Sequence, residues 1–251
     1  MIAITGSASG IGAAIRKRLE REGRTVIGVD LRDAEVRADL TTPAGRAVAV
    51  EGVLGAAGGR LDGVVACAGV GPQVEPWSTI VSLNYFGAVA VLDGLRAALA
   101  TGTAPAAVAI SSNSAGLPGN DNAVTAACLA GDEACARRVA MTLHGHECYG
   151  GSKLALARWV RRNAPAWASA GIRLNAVAPG ATQTPLLQAG LDHPIYGDAI
   201  RGFPIPTGGF GAPEDIAALV AFLLGPEARF FCGSVIFCDG GSDAMLRPDA
   251  V

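Results

Sequence analysis

Short apolar runs alternate with longer amphipathic stretches along the 251-residue chain. Residues 2–5 read Ile-Ala-Ile-Thr, too short for a helix and closed by Gly6, and so predict a buried first strand. Similar runs predict strands at 25–29, near 36–38, and at 63–67, 106–110, 171–177 and 235–238. Between them, helical patterns fall at 13–22, from about Pro43, at 80–99, from Tyr149 toward Ala170 and at 213–224. Pro165 lies inside the fourth of these helices and should kink or break it, because its ring removes a backbone donor. Strands alternating with helices predict an α/β doubly wound, mostly parallel seven-stranded sheet, with ligands at the C-terminal strand ends. No repeat or low-complexity linker interrupts the pattern, so residues 1–251 read as a single domain.

Two segments depart from the alternation. Residues 118–148 form an insertion, partly helical over 123–143, between the fifth strand and the Tyr149 helix. Residues 182–210 are rich in Gly, Pro and large apolar side chains, which suits a lid or substrate loop better than disorder.

Half of the residues are apolar and the formal net charge is −2, which argues against a nucleic-acid partner bound through a basic face and against a polybasic membrane anchor. There is no run of eighteen apolar residues and no basic leader before Ile2, so the expectation is a cytoplasmic protein without a membrane span. Six irregularly spaced cysteines then read as reduced, mostly buried thiols.

Candidate chemistry collects at the predicted strand ends. Gly6, Gly10 and Gly12 follow the first strand and open a helix, where a tight turn and unpaired N–H groups suit a pyrophosphate. Asp30 ends the second strand and can accept both ribose hydroxyls of an adenosine, favouring NAD over NADP; Arg32, two residues on, is the counter-signal. Asp39 can serve the adenine amino group or cap the helix near Pro43, and both can hold. Asn84 in mid-helix needs a buried reason, either holding a water or carbonyl near the site or capping a neighbouring loop. Ser111, Ser112 and Ser114 end the fifth strand. Tyr149 and Lys153 share one helix face at i, i+4, and a neighbouring cation moves a phenol toward the working pH. His144, His146 and Cys148 are metal-ligand types at a spacing that matches no regular zinc pattern, so no metal is assigned.

Taken together, Thr5-Gly-x-x-x-Gly10-x-Gly12, Asn84, Ser112, Tyr149-x-x-x-Lys153 and Pro179-Gly180 resemble the short-chain dehydrogenase/reductase family from end to end. More narrowly, residues 30–36, 67–69, 82–87 and 179–187 resemble its bacterial 3α-hydroxysteroid dehydrogenase/carbonyl reductase group. The resemblance implies a Rossmann fold and an NAD-dependent oxidoreductase interconverting a secondary alcohol and a ketone on a bulky apolar small-molecule substrate. Tyr149 would be the acid/base, Ser112 would orient the reacting oxygen, Lys153 would hold ribose hydroxyls and lower the Tyr149 pKa, and Asn84 would anchor a water in a proton relay. The implied NAD site comprises Gly6, Ser9, Gly10, Ile11 and Gly12, then Asp30, Leu31, Asp39 and Leu40, then Ala68 and Gly69. Pro179, Gly180, Thr182 and Thr184 join Tyr149 and Lys153 at its nicotinamide end. Two features depart from the family. Cys67 stands where an Asn usually supports the turn before Ala68-Gly69, and the insertion lengthens the Ser112–Tyr149 separation. Helices bracketing the insertion often form subunit contacts in this family, so a homo-oligomer of different geometry, a dimer rather than a tetramer, is expected. A non-catalytic dinucleotide sensor on the same fold is the competing reading.

Overall fold

The structure, a computed structural model, describes residues 1–249. Seven strands, β1 (Ile2–Thr5), β2 (Val26–Asp30), β3 (Val36–Arg37), β4 (Gly63–Ala66), β5 (Ala106–Ile110), β6 (Arg173–Pro179) and β7 (Val235–Cys238), form one sheet in the order β3-β2-β1-β4-β5-β6-β7. Every pairing is parallel, so the expectation of a mostly parallel sheet sharpens to an all-parallel one. The chain order reverses between β1 and β4, and a crevice opens there beyond the strand ends.

Side-chain alternation along β1 sorts the two faces. Ile2 and Ile4 pack with Ile15 and Leu19 of α1 (Gly10–Arg21) on one side, and with Val220 and Leu224 of a later helix. Ala3 faces the other side, where the core is completed by α2 (Pro43–Ala57) and a long helix over Ser78–Ala100. That long helix runs as α3 (Ser78–Val81), a π-helical segment at Ser82–Gly87, and α4 (Ala88–Ala100). By length and composition it could cross a membrane, but 61 % of its apolar window is buried inside the fold, as a core helix must be.

The insertion folds as α5 (Ala123–Leu129) and α6 (Glu133–Ala140), separated at Gly131, whose φ of +73° a side chain would resist. Asn122 and Asp132 cap the two helices through their side chains. α7 (Gly145–Ala168) follows, starting one turn earlier than expected, with the Glu147 carboxylate accepting from the His144 N–H. The glycine pair after Tyr149 has a packing reason. A Cβ on Gly150 would lie 2.2 Å from the Asn120 amide, and one on Gly151 2.8 Å from Asn122, so the insertion docks where α7 has no side chains.

Pro165 does not break α7, contrary to the sequence expectation. It falls in the last turn on the solvent face, so the carbonyl of Arg161 that loses its partner sits at an exposed position. Beyond β6, residues 182–210 contain α8 (Pro185–Leu191) and α9 (Gly197–Arg201), so the lid is partly helical. α10 (Pro213–Leu224) then packs against α1, and α11 (Ser242–Leu246) follows β7.

Candidate active site

A cleft of about 860 Å³ lies over the C-terminal ends of β1, β2, β4, β5 and β6. Every predicted site residue lines it except Asn84. Its three zones follow the chain's own order.

The first zone is the turn from β1 into α1. Gly6 and Gly10 hold positive φ values of +69° and +53°. A Cβ on Gly12 would meet the Gly6 carbonyl at 2.0 Å, and one on Gly6 would meet the Ala68 backbone at 2.9 Å. Glycine is required here by close approach. Ser9 precedes α1 but makes no side-chain cap, and the first turn carries no acidic residue. The helix thus presents unpaired N–H groups to the cleft, whereas α2 and α8 are capped by Thr42 and Thr184. An uncapped, positive helix end over a glycine turn suits a pyrophosphate.

Asp30, Leu31, Asp39 and Leu40 form the second zone. The Asp30 carboxylate accepts from the Ala8 N–H at 3.0 Å and the Leu31 N–H at 2.7 Å, which fixes it at the cleft edge. Arg32 is exposed and does not line the cleft. Asp39 is not the cap of α2, since Thr42 accepts the Gly45 N–H at 3.0 Å and leaves Asp39 paired to Thr41 at 2.6 Å. The capping reading of Asp39 is therefore corrected. These residues fit a dinucleotide: donors for its phosphates and a fixed carboxylate for its ribose hydroxyls.

In the third zone, β5 and α7 bring Ser112, Tyr149 and Lys153 to one wall. Lys153 is 4 % exposed, and its ammonium donates to the Ile110 carbonyl at 2.8 Å. Burial lowers its pKa to about 8. Burial also raises the Tyr149 phenol, with a hydrogen bond from Ser112 pulling it part of the way back. Lys153 lies 6.0 Å from the Tyr149 ring centroid. The expected depression of Tyr149 by Lys153 is not seen: burial raises the phenol, and Ser112 is the group that lowers it.

The three serines separate by their partners. Ser111 is spent on the Lys153 carbonyl at 2.8 Å, tying β5 to α7. Ser112 is 7 % exposed and accepts from the Ser114 N–H at 3.2 Å. The Ser114 hydroxyl is buried without any partner.

Comparison with known proteins agrees with this geometry. Residues 1–147 match the family model described as short chain dehydrogenase, and 141–243 match one described as Enoyl-(Acyl carrier protein) reductase. The chain is 48 % identical over 252 residues to a 3-alpha-hydroxysteroid dehydrogenase/carbonyl reductase of Comamonas testosteroni, covering 99 % of this chain and 98 % of that one. This chain belongs to the short-chain dehydrogenase family. A crystal structure of the 3-alpha-hydroxysteroid dehydrogenase from Pseudomonas sp. B-0831, complexed with NADH, superposes with a TM-score of 0.98 at 50 % identity, covering 100 % of this chain and 99 % of that one. At greater distance, the cis-4-hydroxycyclohexanecarboxylate dehydrogenase of Sinomonas cyclohexanicum is 30 % identical, with 96 % of each chain covered. Membership sets aside the non-catalytic sensor.

Asn84 is the one expected site residue that lies outside the cleft lining. Its amide clamps the backbone of Val70, accepting from the N–H at 2.9 Å and donating to the carbonyl at 3.0 Å. The side chain therefore anchors the loop after β4. Thr5 was missed as a working residue. Its hydroxyl accepts from the Cys67 and Ala68 N–H groups at 3.0 Å each, so the turn support absent at Cys67 comes from β1. The only sequence signal was its place immediately before Gly6. Thr184 caps α8 and Thr182 donates to the Gly180 carbonyl at 2.9 Å, so both hydroxyls already have backbone duties. Of the histidine–cysteine set, Cys148 is buried with its thiol toward the Ala140 carbonyl at 3.4 Å. His144 stacks on His146 at 5.9 Å and meets the Trp77 edge at 5.8 Å. No group of three His, Cys, Asp or Glu side chains that could hold a metal occurs among the described residues.

Proposed function

We propose that this short-chain dehydrogenase interconverts a secondary alcohol and a ketone on a bulky, largely apolar substrate, using NAD(H). The carrying observation is the junction of two surfaces in one cleft: the Ser112–Tyr149–Lys153 wall and an apolar wall of Leu186, Leu187, Ile200 and Phe203 from the lid segment. A hydroxysteroid and an aryl or alicyclic alcohol both fit that chemistry, and the relatives named above act on steroid and cyclohexane alcohols by their names.

When bound, the nicotinamide supplies or accepts the hydride. Tyr149 gives its phenolic proton to the carbonyl oxygen in reduction and recovers it in oxidation. Its raised pKa keeps that proton in place at neutral pH, and Ser112 donates to the same oxygen and orients it. Lys153, held by Ile110, keeps further donors for ribose hydroxyls. Gly6, Ser9, Gly10, Ile11 and Gly12 receive the pyrophosphate, and Asp30 the adenosine ribose, where its charge repels a 2′-phosphate. The whole chain acts as one cofactor-binding domain.

A homodimer is proposed for the assembly. The insertion helices lie against α7, while Phe230 is 99 % exposed beside the half-exposed Phe222 and Phe231, an apolar surface suited to a second copy. The six free cysteines suit a reducing, cytoplasmic setting. The deciding experiment is an absorbance screen of steroid, aryl and alicyclic ketones with NADH and NADPH in parallel. Turnover of bulky ketones with NADH is expected, and a strong preference for NADPH would overturn the reading of Asp30.

A further inference from the structure

None of the residues at the far side of the insertion lines the cleft, yet they are wired to its wall. Arg46 of α2 is 7 % exposed and paired through both terminal nitrogens to Glu133 of α6, at 2.6 and 2.7 Å. The same guanidinium donates to the Leu40 carbonyl at 2.8 Å, to the Ser82 carbonyl at 2.8 Å and to the Thr41 carbonyl at 3.2 Å. Arg137, one turn along α6, donates to the Ser82 hydroxyl at 2.6 Å. A planar fork of donors on three nitrogens makes these five contacts at once; a lysine ammonium, with three donors on one atom, cannot.

What those carbonyls belong to gives the network its consequence. Leu40 lines the cleft next to Asp39, and a Cβ on Gly87 of the π-helical segment would already be 3.0 Å from the Leu40 carbonyl. Ser82 opens that segment, Leu83 lines the cleft, and Asn84 clamps Val70, another lining residue. Without a counter-charge, a buried guanidinium either drags water in or swings out, and both release Leu40 and Ser82. The insertion therefore supplies from outside the carboxylate that lets Arg46 hold the adenosine-side wall.

We propose that Arg46 and Glu133 are positioning residues for the dinucleotide: through them the 118–148 insertion sets the adenosine end of the cleft without touching the cofactor. Leu40 adjoins Asp39 on the adenosine side of the cleft, so the effect falls on cofactor affinity more than on the chemical step. This rests on NAD(H) as the cofactor.

The test measures NADH dissociation constants by fluorescence, and steady-state constants, for the wild type, Glu133→Gln, Arg46→Lys and Val124→Ala. Val124 is fully buried in α5 and shares no hydrogen bond with Arg46, Glu133 or Arg137, so its truncation destabilises the insertion and leaves every bond of the network in place. Glu133→Gln and Arg46→Lys are expected to weaken NADH binding about tenfold, while kcat at saturating NADH and KM for the ketone stay within about twofold. Val124→Ala is expected to lower the melting temperature and leave NADH affinity unchanged. Equal weakening by Val124→Ala, or a fall in kcat with unchanged NADH affinity in Glu133→Gln and Arg46→Lys, would overturn the inference. A wild type that binds no NADH overturns the cofactor reading as well, whereas normal binding in both network variants overturns the positioning role alone.

Discussion

Replacing Thr5 by valine keeps the shape of the side chain and deletes one hydroxyl. That hydroxyl is 1 % exposed with its residue and accepts two backbone N–H groups, from Cys67 and Ala68, at 3.0 Å each. Valine offers neither an acceptor nor room for water, so both donors stay buried and unpaired, at about 1–3 kcal/mol each. A small backbone shift recovers part of this, giving a net loss of about 3 kcal/mol. Serine keeps the acceptor and loses one buried methyl, about 1 kcal/mol. The order of stability should be wild type, then Thr5→Ser, then Thr5→Val. Guanidinium unfolding measures it directly, and the melting temperature of Thr5→Val should fall by about 6–12 °C. Ala68 and Gly69 line the cleft, so the valine variant should also lose NADH affinity while the serine variant keeps it. A Thr5→Val protein within about 1 kcal/mol of wild type, or a Thr5→Ser protein less stable than it, would refute the claim that the hydroxyl carries the turn.

Three further outcomes follow from the site. Asp30→Asn removes the fixed carboxylate, so the NADH dissociation constant should rise about tenfold and NADPH should become usable, which parallel cofactor titrations would show. Ser112→Ala should reduce kcat by about 10²-fold or more while Ser114→Ala stays within about tenfold, because only Ser112 hydrogen-bonds Tyr149; equal losses in turnover assays would mean the wrong serine was assigned. The Lys153 ammonium sits below its ordinary pKa, at about 8, because burial disfavours its charge. Its destabilising cost to the fold is therefore fully present below about 8 and is relieved as pH rises toward the unfolded value, while its attraction for ribose hydroxyls is lost over the same rise. NADH affinity should weaken as pH passes through about 8, and Lys153→Met should lack that limb; a flat wild-type profile would refute it.

Much of this protein was legible before any coordinate. Short apolar runs place all seven strands to within two residues, because a buried parallel strand needs a short, continuous apolar stretch. Gly6, Gly10, Gly12, Asp30, Ser112, Tyr149 and Lys153 were readable because each is a residue type with few substitutes for its task at a predictable strand end. Local rules misled at Pro165, where position in the last exposed turn outweighs a helix breaker, and left open at Asp39 a cap that Thr42 supplies. They could not separate Ser111, Ser112 and Ser114, since the distinction lies in what the fold sets against each hydroxyl: the Lys153 carbonyl for Ser111 and no partner for Ser114.

The alternation of strands and helices, the glycine turn and the Tyr149–Lys153 pair depend on residues near one another in the chain and are fixed at that level. Only the tertiary structure decided that Thr5 does the work missing at Cys67, that Asn84 clamps Val70, and that Glu133 reaches 87 positions back to Arg46. Desolvation belongs to the same group. The depressed Lys153 and the raised Tyr149 arise from what surrounds them in space, which no spacing along the chain encodes.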